Sequence, residues 1–210
     1  MVTFGKPLHE ARAELAFEYN FWGLMVATDA AVTKHDFPLA DEKMAKVGDI
    51  ISADTTGILH LDERWRWMTA MGRLRMLEQK YDDAERYYKD ALALRESNKQ
   101  EDRDSFEIGA SRGNLAALYR QQKKLDLAHD QAITAVGIFE KRFKHAGPDQ
   151  DRRQLYGRAL VEQRILLLKL AKDRNDSADA DKQCRTLTEF QSFLSPEGQS
   201  TFHSECPASK

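Results

Sequence analysis

The sequence predicts an all-α fold of about four antiparallel helical hairpins laid side by side. Three observations predict it. Gly (11) and Pro (5) are sparse among 210 residues, so the chain carries few breakers. Hydrophobic residues make up 41% and charged residues 31%, enough apolar side chains for a packed core and too many for a disordered chain. A pattern of small residues also recurs every 44 positions.

The recurrence is carried by "FPLADEKMAKV", "YDDAERYYKDA" and "LDLAHDQAITA". Each begins with a bulky apolar residue and has Ala three positions later: Ala40, Ala84 and Ala128. Four positions on stand Met44, Tyr88 and Ala132, and seven positions on stand Val47, Ala91 and Ala135, which marks one face of a helix. Twelve positions before each Ala stand Thr28, Gly72 and Ala116, all small. A small residue on each of two helices lets their axes approach closely. The unit is therefore a hairpin, with helix A carrying the earlier small residue and helix B the later Ala.

The first hairpin is expected over about residues 8–55. Its stripe "LAFEYNFWGLMVA" places Phe17, Phe21, Trp22 and Met25 either in the core against the next hairpin or on a self-association face. "TTG" predicts a turn over 56–62. The second hairpin follows over 62–98, with Trp65 and Trp67 of "ERWRW" on different faces. Asp104 and Glu107 read as a capping box opening the third hairpin, 104–146. "HAGPDQD" predicts a turn over 147–150.

In the fourth hairpin, 149–194, the 44-residue shift carries Gly113 and Ala116 onto Gly157 and Leu160. The helix B alanine falls at Ala180, eight residues late, so the last helix A should be about two turns longer. Ser177 reads as the cap of the last helix B, "SPEGQS" as its end, and residues 203–210 as a polar tail.

The pattern resembles the tetratricopeptide repeat (TPR). Gly72, Ala84, Tyr88 and Ala91, with Ala116, Ala128 and Ala135, match its small, Ala, aromatic and Ala positions. The long period, and the wording of "NLAALYRQQKKLDLA" and "YDDAERYYKDALALRE", are similar to the kinesin light chain type. Arg75 departs from the pattern, standing where an aromatic is usual. The resemblance implies a right-handed α-solenoid, one TPR-like domain over 1–210, whose A helices line a concave groove that holds a protein or peptide segment.

Carried over position by position, the resemblance puts Arg66, Thr69, Ala70, Arg73 and Leu77 in the groove from the second hairpin. The third supplies Ala110, Gly113, Asn114, Ala117, Arg120 and Gln121, and the fourth Gln154, Gly157, Arg158 and Val161. Asn114 falls where peptide-binding repeats often carry Asn. Its amide can pair with both the C=O and N–H of an extended peptide. Arg73 and Arg158 would flank it and fork onto a carboxylate, and Gly113 and Ala117 would leave room for a backbone. Such a groove is mildly basic and suits an acidic or carboxyl-terminal segment. Thr69 and Ala70 stand where a full carboxylate clamp needs polar residues.

Catalysis is not expected, since no Ser/His/Asp or Cys/His set is evident. No metal or other cofactor is expected: the six histidines lack HExxH or HxH spacing, and "NDSADAD" lacks the glycine and distal Glu of a calcium loop. Net charge −2 makes a nucleic-acid partner unlikely, leaving RNA binding through Arg64, Arg66, Arg73 and Arg75 as an alternative. The longest clean apolar run, "FWGLMVA", is too short to span a bilayer. Cys184 and Cys206 are read as two free thiols of a cytoplasmic protein, with a disulfide and an exported or periplasmic protein as the alternative. Homo-oligomerisation through the aromatic N-terminal hairpin is the structural alternative to partner binding.

Overall fold

The computed structural model describes residues 8–53, 61–98 and 105–206. Over them the chain is an α-solenoid, built of helices packed in consecutive antiparallel pairs. The pairs are α1 (Leu8–Thr33) with α2 (Phe37–Ala53), α3 (Leu61–Leu77) with α4 (Tyr81–Glu96), α5 (Phe106–Gln121) with α6 (Leu125–His145), and α7 (Gln150–Asp173) with α8 (Ser177–Glu189). A short 3₁₀ turn, Gln191–Phe193, leads into α9 (Pro196–Glu205). The A helices are α1, α3, α5 and α7. Of these, α5 touches both α3 and α7, while α4 packs on α5 and α6 on α7.

The small residues do what their spacing implies. Ala40, Ala84, Ala91, Ala116, Ala128, Ala132 and Ala135 are fully buried. At Gly72 a Cβ would lie 2.5 Å from the Tyr88 ring, so the missing side chain on α3 makes the room that the aromatic on α4 fills. One repeat later the two equivalent positions are both alanine, Ala116 and Ala132.

Each A helix stops in the same way. His35, Gln79, Lys123 and Asn175 have φ of +57° to +63°, the left-handed conformation that ends a helix. The next residue in each case donates its N–H to the carbonyl five back: Asp36 to Ala31, Lys80 to Arg75, Lys124 to Tyr119 and Asp176 to Ala171, at 2.8–2.9 Å. The four turns are spaced 44, 44 and 52 residues apart. The eight extra residues of α7 thus lie at its start, before the part that faces α5. The 44-residue shift that pairs Gly113 with Gly157 holds in sequence but does not align α7 with α5.

Contacts between A helices follow the same count. Trp22 stacks under Arg66 and Asp29 meets Arg73, both 44 apart, and Trp65 donates to Ser111, 46 apart. Arg120 meets Asp173, 53 apart. A joint repeats with them. Arg112 of α5 reaches Glu96 at the end of α4 and Gln131 of α6, and Arg164 of α7 reaches Glu140 of α6 and Gln183 of α8.

The caps correct three readings. Ser105, not Asp104, caps α5, its Oγ accepting from the Ile108 N–H at 3.2 Å. Asp104 itself lies outside the described residues, as do 56–60 of the turn expected over 56–62, while Leu61 and Asp62 already belong to α3 and not to a turn. Asp176, not Ser177, caps α8. "SPEGQS" ends no helix but opens one: Ser195 accepts from the Gly198 N–H, with Pro196 in the first turn of α9.

The polar tail expected from residue 203 is helical to Glu205, and Cys206 is buried. The two cysteines are not free. Cys184 of α8 and Cys206 form a disulfide, their Cα atoms 5.5 Å apart. The pairing follows from the chain after Pro196 folding back over the last hairpin, the alternative weighed for the two thiols.

Candidate functional site

With the turns as the ruler, the A helices present one stripe each on their shared free face. On α3 it runs Arg66, Ala70, Arg73, Leu77; on α5, Ala110, Asn114, Ala117, Gln121. Shifting back by 44 gives Trp22, Val26 and Asp29 on α1, and forward by 52 gives Glu162, Leu166 and Lys169 on α7. The middle row of this surface is Val26, Ala70, Asn114 and Leu166: three apolar side chains and one amide. Among the described residues none hydrogen-bonds the half-buried Asn114 amide.

The predicted residues divide under this geometry. Arg66, Thr69, Arg73, Asn114 and Gln121 lie on or beside the face. Arg66 is exposed but rests on the Trp22 ring, 5.2 Å from its centre. The Thr69 hydroxyl donates to the carbonyl of Trp65, one turn back. Arg73 is exposed with Asp29 3.5 Å away, and Arg120 is tied to Asp173 at 2.7 Å. The cations expected to hold an acidic segment therefore already have aromatic or acidic neighbours.

Three positions carried over from the resemblance are packing positions. Gly113 is covered by Gln163 of α7; a Cβ there would lie 2.5 Å from its Nε2, so the space serves the next helix and not a ligand. Gly157 is buried against the Phe193 ring, and Val161 belongs to the core of the last hairpin. Arg158 and Gln154 are exposed, but the 52-residue alignment sets them roughly 12 Å and 18 Å, two and three turns, before the Asn114 row along α7. Arg158 does not flank Asn114. It faces Glu162, one turn on, whose carboxyl is pushed up by desolvation more than Arg158 draws it down.

Sequence reasoning missed the α1 and α7 ends of this face. Subtracting 44 from Arg66 and Ala70 finds Trp22 and Val26; counting α7 from its turn instead of its glycine finds Glu162 and Leu166. The aromatic stripe of α1 splits: Phe21 is core, while Tyr19 (82% exposed), Trp22 and Val26 (67%) face solvent at i, i+3, i+7 spacing.

The four arginines of the RNA reading do not form one surface. Arg75 is half-buried between Asp41 and Glu78, whose hydrogen bonds raise its pKa, and Arg64 is half-buried, two positions from exposed Arg66 and so on another side of α3. Among the described residues no group of three metal-ligating side chains occurs, and no helix is long and apolar enough to cross a membrane.

No family model matches the chain, and no curated protein matches it. Among solved structures it is similar to the crystal structure of BtubC (BKLC) from P. vanneervenii. The identity is 16%, over 80% of this chain and 78% of that one, with a TM-score of 0.49.

Proposed function

We propose that the chain acts by binding and not by catalysis, holding an extended segment of a protein partner across its A helices. One observation carries the reading: a half-buried amide that no described residue hydrogen-bonds sits in an otherwise apolar row, between rows that carry charge. Asn114 is placed to pair with a peptide backbone, and Val26, Ala70 and Leu166 to take small or apolar side chains beside it. The charged side chains beside this row are of both signs, Arg66 and Glu162 on one side and Asp29, Arg73 and Lys169 on the other, so a segment of mixed charge suits the face better than an acidic one. The repeats are of the long kind similar to those of kinesin light chains.

A displayed random-peptide library selected on the immobilised protein tests this. Enriched peptides should bind Asn114→Ala about tenfold more weakly, the loss of one hydrogen-bonded amide, with an unchanged thermal midpoint. Peptides that bind parent and variant equally would exclude this face.

A second reading rests on the exposed Tyr19, Trp22 and Val26, which would serve a second copy of the chain equally well. Sedimentation separates the two, since Trp22→Ala changes mass with concentration only if the stripe joins copies. The bridged cysteines support an exported or periplasmic setting over a cytoplasmic one, because reducing pools keep thiols open.

A further inference from the structure

The last hairpin ends in an arrangement that the peptide-holding role does not use. Val161, Leu168 and Ala171 of α7 and Ala180 and Leu187 of α8 form a separate apolar cluster, closed by Leu194, Phe202 and Cys206. Every other hairpin interface in the described array is closed by the next hairpin. Here α9, ten residues long, does that work. It approaches α7 at Gly198, where an added Cβ would lie 3.2 Å from Ile165 Cδ1. Its end is tied twice: Lys172 of α7 donates to the Glu205 carbonyl at 2.9 Å and pairs with its carboxylate, and Cys206 is bridged to Cys184.

A ten-residue helix is marginal on its own, since helix nucleation is costly and few hydrogen bonds repay it. The Lys172–Glu205 pair is partly exposed and adds little. The bridge, 22 residues apart in sequence, restricts the open chain far more. Cys206 is buried and Cys184 half-buried, so the sulfur on α8 offers the approach for an attacking thiolate.

We propose that the Cys184–Cys206 bridge is a reducible latch that holds α9 as a lid on the end of the array. Closed, it covers the terminal apolar cluster; opened, it releases α9 and uncovers that cluster while the remaining hairpins stay folded. Opening is a two-electron exchange. A dithiol attacks the Cys184 sulfur, the S–S bond breaks, Cys206 leaves as a thiolate and takes a proton, and the second thiol of the reagent displaces Cys184 and closes to its own disulfide.

Hydrogen exchange on the full chain, with and without dithiothreitol, tests the latch. Amides of 196–206 should exchange on the order of a hundredfold faster after reduction, the chain-entropy effect of a loop this size, while those of α5 and α6 change by less than about threefold. The double variant Cys184→Ser, Cys206→Ser should exchange like the reduced parent and ignore the reagent. Unchanged exchange in 196–206 after reduction would show a lid that holds itself. Faster exchange throughout would make the bridge a staple for the whole fold. Full thiol labelling of the untreated, denatured protein would show that the bridge does not form. Any of these three overturns the proposal.

Discussion

Two glycines of adjacent A helices look alike in sequence and differ in what surrounds them. Gly72 faces the ring of Tyr88, which is 2% exposed and hemmed in by the α3–α4 interface. Gly113 faces the amide end of Gln163, a side chain with rotamers to spare. Gly72→Ala should therefore cost about 1–3 kcal/mol, as the ring and backbone shift to admit a methyl group. Gly113→Ala should be neutral, or stabilising by up to about 1 kcal/mol from helix propensity. Urea unfolding of the two variants checks the contrast, and equal losses would contradict it. The small-residue periodicity identified both glycines. It did not tell a packing position from a ligand position, because the residue that fills each space comes from another helix at a distance no local pattern encodes.

The helices were legible in the sequence because heptad-like offsets and alanine positions agree over many residues, whereas their ends depend on single side chains. The caps shifted by one residue at Ser105 and Asp176, where neighbouring Asp and Ser are equally good acceptors. The helix α9 was hidden for a similar reason: Ser-Pro-Glu both stops one helix and starts the next.

The turns supply a test of their own. Lys123 holds φ +61°, which costs an L side chain, while glycine accepts it freely. Lys123→Gly should gain about 0.5–1 kcal/mol after allowing for glycine's extra freedom when unfolded. Lys123→Ala should gain nothing, which a pair of denaturant curves would establish.

Where α4, α5 and α6 meet, Glu85 accepts from the Tyr119 hydroxyl at 3.1 Å and pairs with Lys89 and, at 3.4 Å, Lys124. The Lys89 hydrogen bond, assisted by Tyr119, holds its carboxyl below the ordinary range against desolvation. A carboxyl lowered in the folded state adds stability above its unfolded pKa, and that stability is lost as pH falls through the folded value. Glu85→Gln should cost about 1 kcal/mol at pH 7 and progressively less as pH falls below the ordinary carboxylate range, read from urea midpoints across a pH series.

At the scale of the molecule, the repeat was legible in its first three units and shifted in the fourth. The sequence placed the eight extra residues in the last A helix; only the backbone showed them at its start, because Gly157 mimics Gly113 two turns from its structural counterpart. That offset takes Arg158 out of the Asn114 row and Gln154 out of the Ala110 row, and brings Leu166 and Glu162 into their places. The face survives with a different end, less basic than the arginine count implied.

The four turns carry one more implication. Since His35, Gln79 and Lys123 share one backbone state at equal intervals, the chain is divisible between them. Joining Gln79 directly to Lys124 would leave α3 facing α6, with Gly72 opposite Ala132 in place of Tyr88. Copy number is then a free variable of this architecture. The length of the A-helix face can be set in whole units, while α9 at the far end, built from residues outside the excised unit, remains the same for every length.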